Sequence, residues 1–234
     1  MNRDKIYEKK ARLYPVIIAM LIPLFLLIYA GSEMIATFSK LEHFWNIAIS
    51  IIPATLITGA LMYGVKSLVR STSKMLFQFP LFKENETMMP TTEMMLWKDK
   101  TISKQNKNLI RNKIKDDIGL ELLNEQQEIE NENEARLIIA DAVKRIREKT
   151  RDNLILFNYN CNYGFIRNFM GANFWSFWII VLIGILNFIN PIIDNLYIGI
   201  AITINIISYP ISFYLLKQNG REYARQLYTA YLEL

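Results

Sequence analysis

Two short stretches hold the side chains best suited to gripping a ligand. The first is Pro90-Thr91-Thr92, followed by Met94, Met95, Leu96, Trp97, Lys98 and Asp99. Adjacent threonine hydroxyls can bond phosphate oxygens or cap a helix, with Pro90 fixing the approach, and capping is the simpler of the two readings. The second is Thr150-Arg151-Asp152, then Asn162-Tyr163-Gly164-Phe165-Ile166-Arg167-Asn168. Arg151 and Arg167 supply planar donors for phosphate, and Tyr163 and Phe165 supply rings on which a base could stack. The same residues suit a juxtamembrane elbow in which the aromatics pack, Gly164 permits the bend and Arg167 meets lipid phosphates.

Catalysis has little to work with. The one histidine, His43, falls on the far side of the membrane from the charged segment in the topology derived below, and no cluster of Cys, His and carboxylates has metal-ligand spacing. The acidic run 125–134 lacks the Asp/Asn alternation and central glycine of a calcium loop, and no Gly-rich phosphate loop precedes a helix. No catalytic residue, metal or cofactor is expected. A membrane enzyme using Asp152 or Asp194 stands as the third reading of function, behind a ligand-gated channel and a non-conducting scaffold.

The elements that must position these residues belong to two solvents. Among 234 residues, 52% are hydrophobic and the net charge is +5, while the mean hydropathy of +0.13 averages strongly apolar runs with a polar insert. Runs 13–31, 44–65, 174–193 and 196–216 are each long enough to cross a hydrocarbon core of roughly 30 Å as helix. Inside a bilayer the backbone must bond to itself within each segment, so four spans imply four helices. The spacing therefore predicts an all-α membrane protein: four transmembrane helices with a mainly α-helical cytoplasmic domain inserted between the second and third. The expected segments are 1–66, 67–173, 174–216 and a tail 217–234.

Orientation follows from loop charge. Arg3, Lys5, Lys9, Lys10 and Arg12 precede the first span, Lys66, Arg70 and Lys74 follow the second, and Lys217, Arg221 and Arg225 follow the fourth. The loop 32–43 carries Lys40 against Glu33 and Glu42, and Asp194-Asn195 make the other outer turn. Both termini and the insert are thus expected in the cytoplasm. The basic arm could serve as a secretory n-region, but the second span following it favours a retained signal-anchor helix. Cys161, the sole cysteine, excludes an internal disulfide and reads as a buried thiol. Trp45, Trp175, Trp178, Tyr63 and Tyr197 sit near span ends as interfacial anchors. Pro15, Pro23 and Pro53 remove helix hydrogen bonds and are expected to kink the first two spans.

Within the insert, charge comes in blocks. Lys98, Lys100, Lys104, Lys107, Arg111, Lys113 and Lys115 face only Asp99; residues 116–134 hold eight carboxylates and no cation; Arg136 to Arg151 is basic again. Such blocks create a patterned field that could neutralise phosphates. Yet residues 66–173 carry 18 basic and 15 acidic side chains, a balance of +3 that would not by itself suggest DNA. Residues 103–115 and 134–152 read as helices, 124–133 as loop and 83–90 as a connector. Any strand would lie in 154–165 or 88–97. For a pore, Asn187, Asn190 and nearby Asp194 share one face of the third span, and Thr203 and Asn205 lie in the fourth. Hydrogen bonding between helices is the commoner use of such residues. Ser50, Thr55 and Thr58 are weaker pore residues. A conduit would need several copies around an axis.

In these motifs the chain resembles the HalA-like effector membrane proteins of the Hailong anti-phage defence system. The family pattern places a P-T-T segment after the second span, then T-R-D and N-x-x-Y-G-F-x-R-N ahead of the third. Here Pro90, Thr91 and Thr92, then Thr150, Arg151 and Asp152, then Asn160, Tyr163, Gly164, Phe165, Arg167 and Asn168 fit, and the tail Arg221-Glu222-Tyr223-Ala224-Arg225-Gln226-Leu227 is similar. Glu93 departs from the family's basic residue, and Trp97-Lys98-Asp99 matches loosely. The resemblance implies a homo-oligomeric ion channel, tetrameric in one arrangement, in a bacterial inner membrane. A short single-stranded DNA oligomer made by a cognate nucleotidyltransferase would hold it closed, and loss of the oligomer would depolarise the membrane. The implied ligand set is Thr91, Thr92, Lys98, Arg151, Tyr163, Phe165, Arg167 and Asn168.

Overall fold

The computed structural model describes residues 3–37, 54–83 and 86–234. Every regular element among them is helical: α1 (Arg3–Tyr7), α2 (Tyr14–Thr37), α3 (Ala54–Ser73), α4 (Phe79–Phe82), α5 (Pro90–Met95), α6 (Lys104–Ile118), α7 (Glu125–Glu130), α8 (Glu132–Lys149), α9 (Leu154–Ile189) and α10 (Asn195–Leu232), with π-helical turns at Glu8–Leu13 and Lys74–Gln78. Among the described residues three stretches are long and apolar enough to cross a membrane, Arg3–Gly31, Leu154–Ile189 and Asn195–Leu232. The expected span 44–65 lies partly outside the described residues, as do Trp45, His43, Ser50 and Pro53; its second half belongs to α3.

Two expectations are corrected. Residues 124–133, read as loop, contain α7, which a capping box nucleates: Gln127 N–H donates to Asn124 Oδ1 while Gln127 Oε1 accepts from Asn124 N–H. Asn131 then caps α8, accepting from Glu134 N–H at 3.2 Å. Polarity concealed these turns, since capping residues are polar by necessity. Of the stretches 154–165 and 88–97, where any strand would have lain, the first is helical in α9 and the second holds α5 at Pro90–Met95. Leu156 N–H donates to Asn153 Oδ1 at 2.9 Å, so α9 starts some twenty residues before its apolar run.

The chain divides into two compact units, residues 1–74 with 165–213 and residues 75–164 with 214–234. Both α9 and α10 contribute residues to each. The division differs from 66, 173 and 216 because an apolar run ends where its side chains change, whereas the helix carrying it continues. The C-terminal tail is part of the second unit.

In the first unit, Leu26 of α2 packs with Ile180 and Ile183 of α9, Ile193, and Ile198 and Ala201 of α10. Val16 and Ala19 pack with Val69 of α3 and Ala172 of α9. Outward, Phe25, Ile28, Leu182, Phe188, Ile204 and Ile207 are exposed, which in water would be a prohibitive apolar surface. In a bilayer it is the lipid-facing side. Pro15 has no N–H to offer Ala11 O, and the Asn168 amide donates there instead at 2.6 Å. The π-helical turn ends at Leu13, two residues before this proline. A further proline, Pro210, lies inside α10.

The second unit has an aqueous-type core. Met94, Met95 and Leu96, Ile110 and Ile114 of α6, Ile139, Val143 and Ile146 of α8, and Leu227, Tyr228 and Tyr231 of α10 are buried together. Ala224, Leu227, Tyr228 and Tyr231 recur three and four apart, one face of the last turns of α10. Ser103 opens α6 by accepting from Asn106 N–H, and Gly119 closes it at φ 71°, a left-handed cap open to glycine.

Candidate functional site

Pro90 occupies the first position of α5, where its missing N–H costs nothing. The cap residue is Met89, so neither threonine is an N-cap. Thr92 Oγ1 donates to Glu86 O at 2.8 Å. Thr91 is buried and its backbone oxygen accepts from the Tyr228 hydroxyl at 2.5 Å. A Cβ at Gly220 would lie 3.1 Å from the Pro90 ring and 3.7 Å from the Tyr163 ring. Pro90, Thr91, Tyr163, Gly220 and Tyr228, which come from three distant stretches of the chain, therefore pack together inside one unit. Glu93 forms an ion pair with Arg136 at 2.8 Å.

The segment after α5 is held by a buried polar network. Lys107 donates to the carbonyls of Leu96 and Asp99. Arg111 donates to Leu123 O at 2.6 Å and Met95 O at 2.8 Å, pairs with Glu128 at 3.4 Å, and lies 4.2 Å from the Trp97 ring centre. Glu128 Oε1 accepts from Trp97 N–H at 2.6 Å, and Trp97 Nε1 donates to Leu123 O at 3.2 Å. Burial pushes both Lys107 and Arg111 below their ordinary pKa values; Glu128 opposes the shift at each.

Lys98 is exposed and pairs with Glu132 at 2.6 Å. The surrounding charges do likewise: Lys104 with Glu125 at 2.9 Å, Lys115 with Glu121 at 2.8 Å, and Arg147 with Glu86 at 2.5 Å. The blocks that alternate along the sequence thus face and neutralise one another across the unit. Hydrogen bonds from Lys98 and Arg136 hold the Glu132 carboxyl below its ordinary value of 4.5. Its stabilising contribution is complete above that value and disappears as pH falls through the lowered value of the fold. Glu132→Gln should therefore unfold at lower temperature than the wild type at neutral pH and converge with it in acid; a gap independent of pH would remove this role.

Arg151 is exposed in the turn joining α8 to α9. In the first unit, Phe165 lies parallel to Phe169 with ring centres 6.4 Å apart. Arg167 and Asn168 are buried there, and Asn168 serves Ala11 O as described. Cys161 is buried.

The residues expected to line a pore separate into two kinds. Asn190, Asp194 and Thr203 are exposed, with Asp194 Oδ1 accepting from Leu196 N–H at 2.9 Å and Thr203 Oγ1 donating to Gly199 O at 2.8 Å. Asn187 is buried beneath the turn between α9 and α10: its Nδ2 donates to Ile193 O at 2.8 Å, and its Oδ1 accepts from Ile192 and Ile193 N–H at 2.9 and 2.7 Å. Asn205 donates to Ser176 Oγ at 3.0 Å, and its backbone oxygen accepts from Asn173 at 3.2 Å. Asn173 also donates to Ser208 Oγ at 2.7 Å, completing a polar seam between α9 and α10 that sequence reading had only half seen. Asn187→Leu strands two backbone N–H groups and should cost about 2 kcal/mol or more, against little for exposed Asn190→Leu. Equal melting shifts for both variants in detergent would refute the assignment.

No family model, curated protein or solved structure matches the chain.

Among the described residues no group of three or more His, Cys, Asp or Glu is arranged to hold a metal ion. What the side chains offer is a set of guanidinium groups near the ends of the apolar runs, together with a hydrogen-bonded helix hairpin whose outer surface is apolar.

Proposed function

We propose that the protein is a membrane effector of bacterial anti-phage defence: a homo-oligomeric ion channel of the inner membrane, held closed by a short single-stranded DNA oligomer on its cytoplasmic domain and opened when that oligomer is lost. In this reading residues 44–65 make a fourth crossing, the second unit and both termini face the cytoplasm, and a cognate nucleotidyltransferase supplies the oligomer. One observation carries it: α9 and α10 are each a single helix with residues in both the apolar and the charged unit. A ligand that binds two states of the charged unit unequally would bias the helices which that unit shares with the apolar one. The resemblance in the P-T-T, T-R-D and Y-G-F-x-R-N motifs supplies the biological setting.

A second reading, a membrane-anchored scaffold that recruits a protein partner without conducting, is favoured by the mutual pairing of the charge blocks, which leaves few cations for phosphates. Ion flux from liposomes reconstituted with the purified protein separates the two. The channel reading expects flux that rises after nuclease treatment, short DNA recovered from untreated protein, and reduced DNA retention in Arg151→Ala. A protein that neither conducts nor retains nucleic acid is not this channel.

A further inference from the structure

In the first unit, three helical segments bring basic side chains to one place. Glu8 pairs with Arg12, one turn away, and with Lys66 of α3 at 3.5 Å. Arg70, one turn beyond Lys66, lies within electrostatic range of Arg12, Arg167 and Glu8. Close packing fixes this arrangement. Asn168, next to Arg167, bonds Ala11 O, next to Arg12, at 2.6 Å, and Trp175 Nε1 bonds Thr72 Oγ1 at 3.0 Å. Arg12, Lys66 and Arg70 thus gather about Glu8, with Arg167 within electrostatic range of Arg70. The segments 3–12, 66–74 and residue 167 together carry nine basic residues and two acidic ones, so no redistribution of partners within them balances the charge.

Two further features point to a ligand. The Nε groups of Arg12 and Arg70 are buried without an acceptor, although guanidinium N–H groups are strong donors that interiors ordinarily satisfy. Arg167 itself is 8% exposed, so its charge is removed from bulk water. Like charges gathered and partly desolvated in this way, as at Arg12 and Arg70, favour an anion beside them. Planar guanidinium forks suit the paired oxygens of a phosphate better than a point charge would.

We infer that Arg12, Lys66, Arg70 and Arg167 form a binding site for the headgroup phosphate of an anionic membrane lipid. Position selects the lipid as the source. Arg12 directly precedes the apolar run 13–31, Lys66 directly follows 44–65, and Arg167 stands seven residues ahead of 174–193. Cations at that depth meet headgroup phosphates, which an anionic leaflet presents at high local concentration. The lipid would act as a structural clamp on α2, α3 and α9. This inference does not depend on the channel reading, since lipid retention and ion flux are separate measurements.

Native mass spectrometry and thermal unfolding of the full-length protein in detergent test it, with phosphatidylglycerol, phosphatidylcholine, inorganic phosphate and a short oligodeoxynucleotide as separate additions. Phosphatidylglycerol should be retained in preference to phosphatidylcholine and raise the melting temperature. Arg70→Gln and Arg12→Gln should each weaken its retention about five- to tenfold, the effect of one basic residue at an anionic surface or somewhat more. Exposed Arg225→Gln should leave it unchanged. Equal retention of the two lipids by the wild type overturns the inference without need of any variant. So does unchanged retention in both arginine variants, or a stabilisation given by phosphate or the oligonucleotide but not by phosphatidylglycerol.

Discussion

Gly171→Ala should separate α3 from α9 and lower the melting temperature of the detergent-solubilised protein more than any other single methyl group added to a helix. A Cβ at Gly171 would fall 2.0 Å from Ser73 Oγ and 2.6 Å from the backbone oxygen of Val69. The serine could rotate, but it donates to that same oxygen at 2.6 Å, and a backbone atom cannot step aside alone. The helices must part, loosening Val69 from Ala172 and Ala19. Overpacking of this kind costs about 1–3 kcal/mol, and helix pairs in membranes depend on such close approach because lipid competes for every apolar contact. Ser73→Ala added to Gly171→Ala should recover only part of the loss, since Val69 O remains. Gly64→Ala is the control: nothing lies within 4 Å of its Cβ position. If both alanine variants melt alike, the close approach is not what holds these helices.

Glu128→Gln should destabilise the second unit by about 3–5 kcal/mol, the usual consequence of removing one member of a buried ion pair. The carboxylate balances Arg111 and accepts from Trp97 N–H, and both its own side chain and that of Arg111 are less than a tenth exposed. Neutralising it leaves the Arg111 guanidinium desolvated beside Lys107 with carbonyls as its only acceptors. Hydrogen exchange or limited proteolysis should then report opening around Trp97 and Leu123. The double variant Arg111→Met with Glu128→Leu should regain most of the stability, because the penalty belongs to the unpaired charge and not to the loss of the pair. A Glu128→Gln protein as protease-resistant as the wild type would show that Arg111 is balanced elsewhere.

Some features were legible from local pattern. The helices at 103–115 and 134–152 appear within three residues of the predicted ends, because Leu109, Ile110 and Ile114, and Ile138, Val143 and Ile146, recur at helical spacing. The apolar runs at either end announce helices able to cross a membrane, three of them among the described residues. The site was less legible. Thr91 and Thr92 attracted notice as hydroxyls for phosphate, yet one hydroxyl bonds Glu86 and the other residue is buried against Tyr228. Asn187 attracted notice as a polar residue in a span, and its amide is consumed by the turn beneath which it lies. In both cases residue type was read correctly and direction was not, because the partner is a backbone group that no side-chain pattern encodes. The charge blocks taught the converse. Blocks of one sign look like surfaces for a ligand of the other, but folding brought opposite blocks face to face.

Sequence alone determined the solvents of this chain: transfer free energy is additive over a run of about twenty residues, so apolar runs choose lipid and charged ones choose water whatever their neighbours do. It likewise determined helices wherever periodicity was strong. Only the tertiary structure decided which cations meet a carboxylate and which meet one another, by setting Lys98, Lys104 and Lys115 against carboxylates while gathering Arg12 and Arg167 within electrostatic range of Arg70. Electrostatic energy depends on separation and burial, and both are properties of residues distant in the chain that meet only after the helices pack.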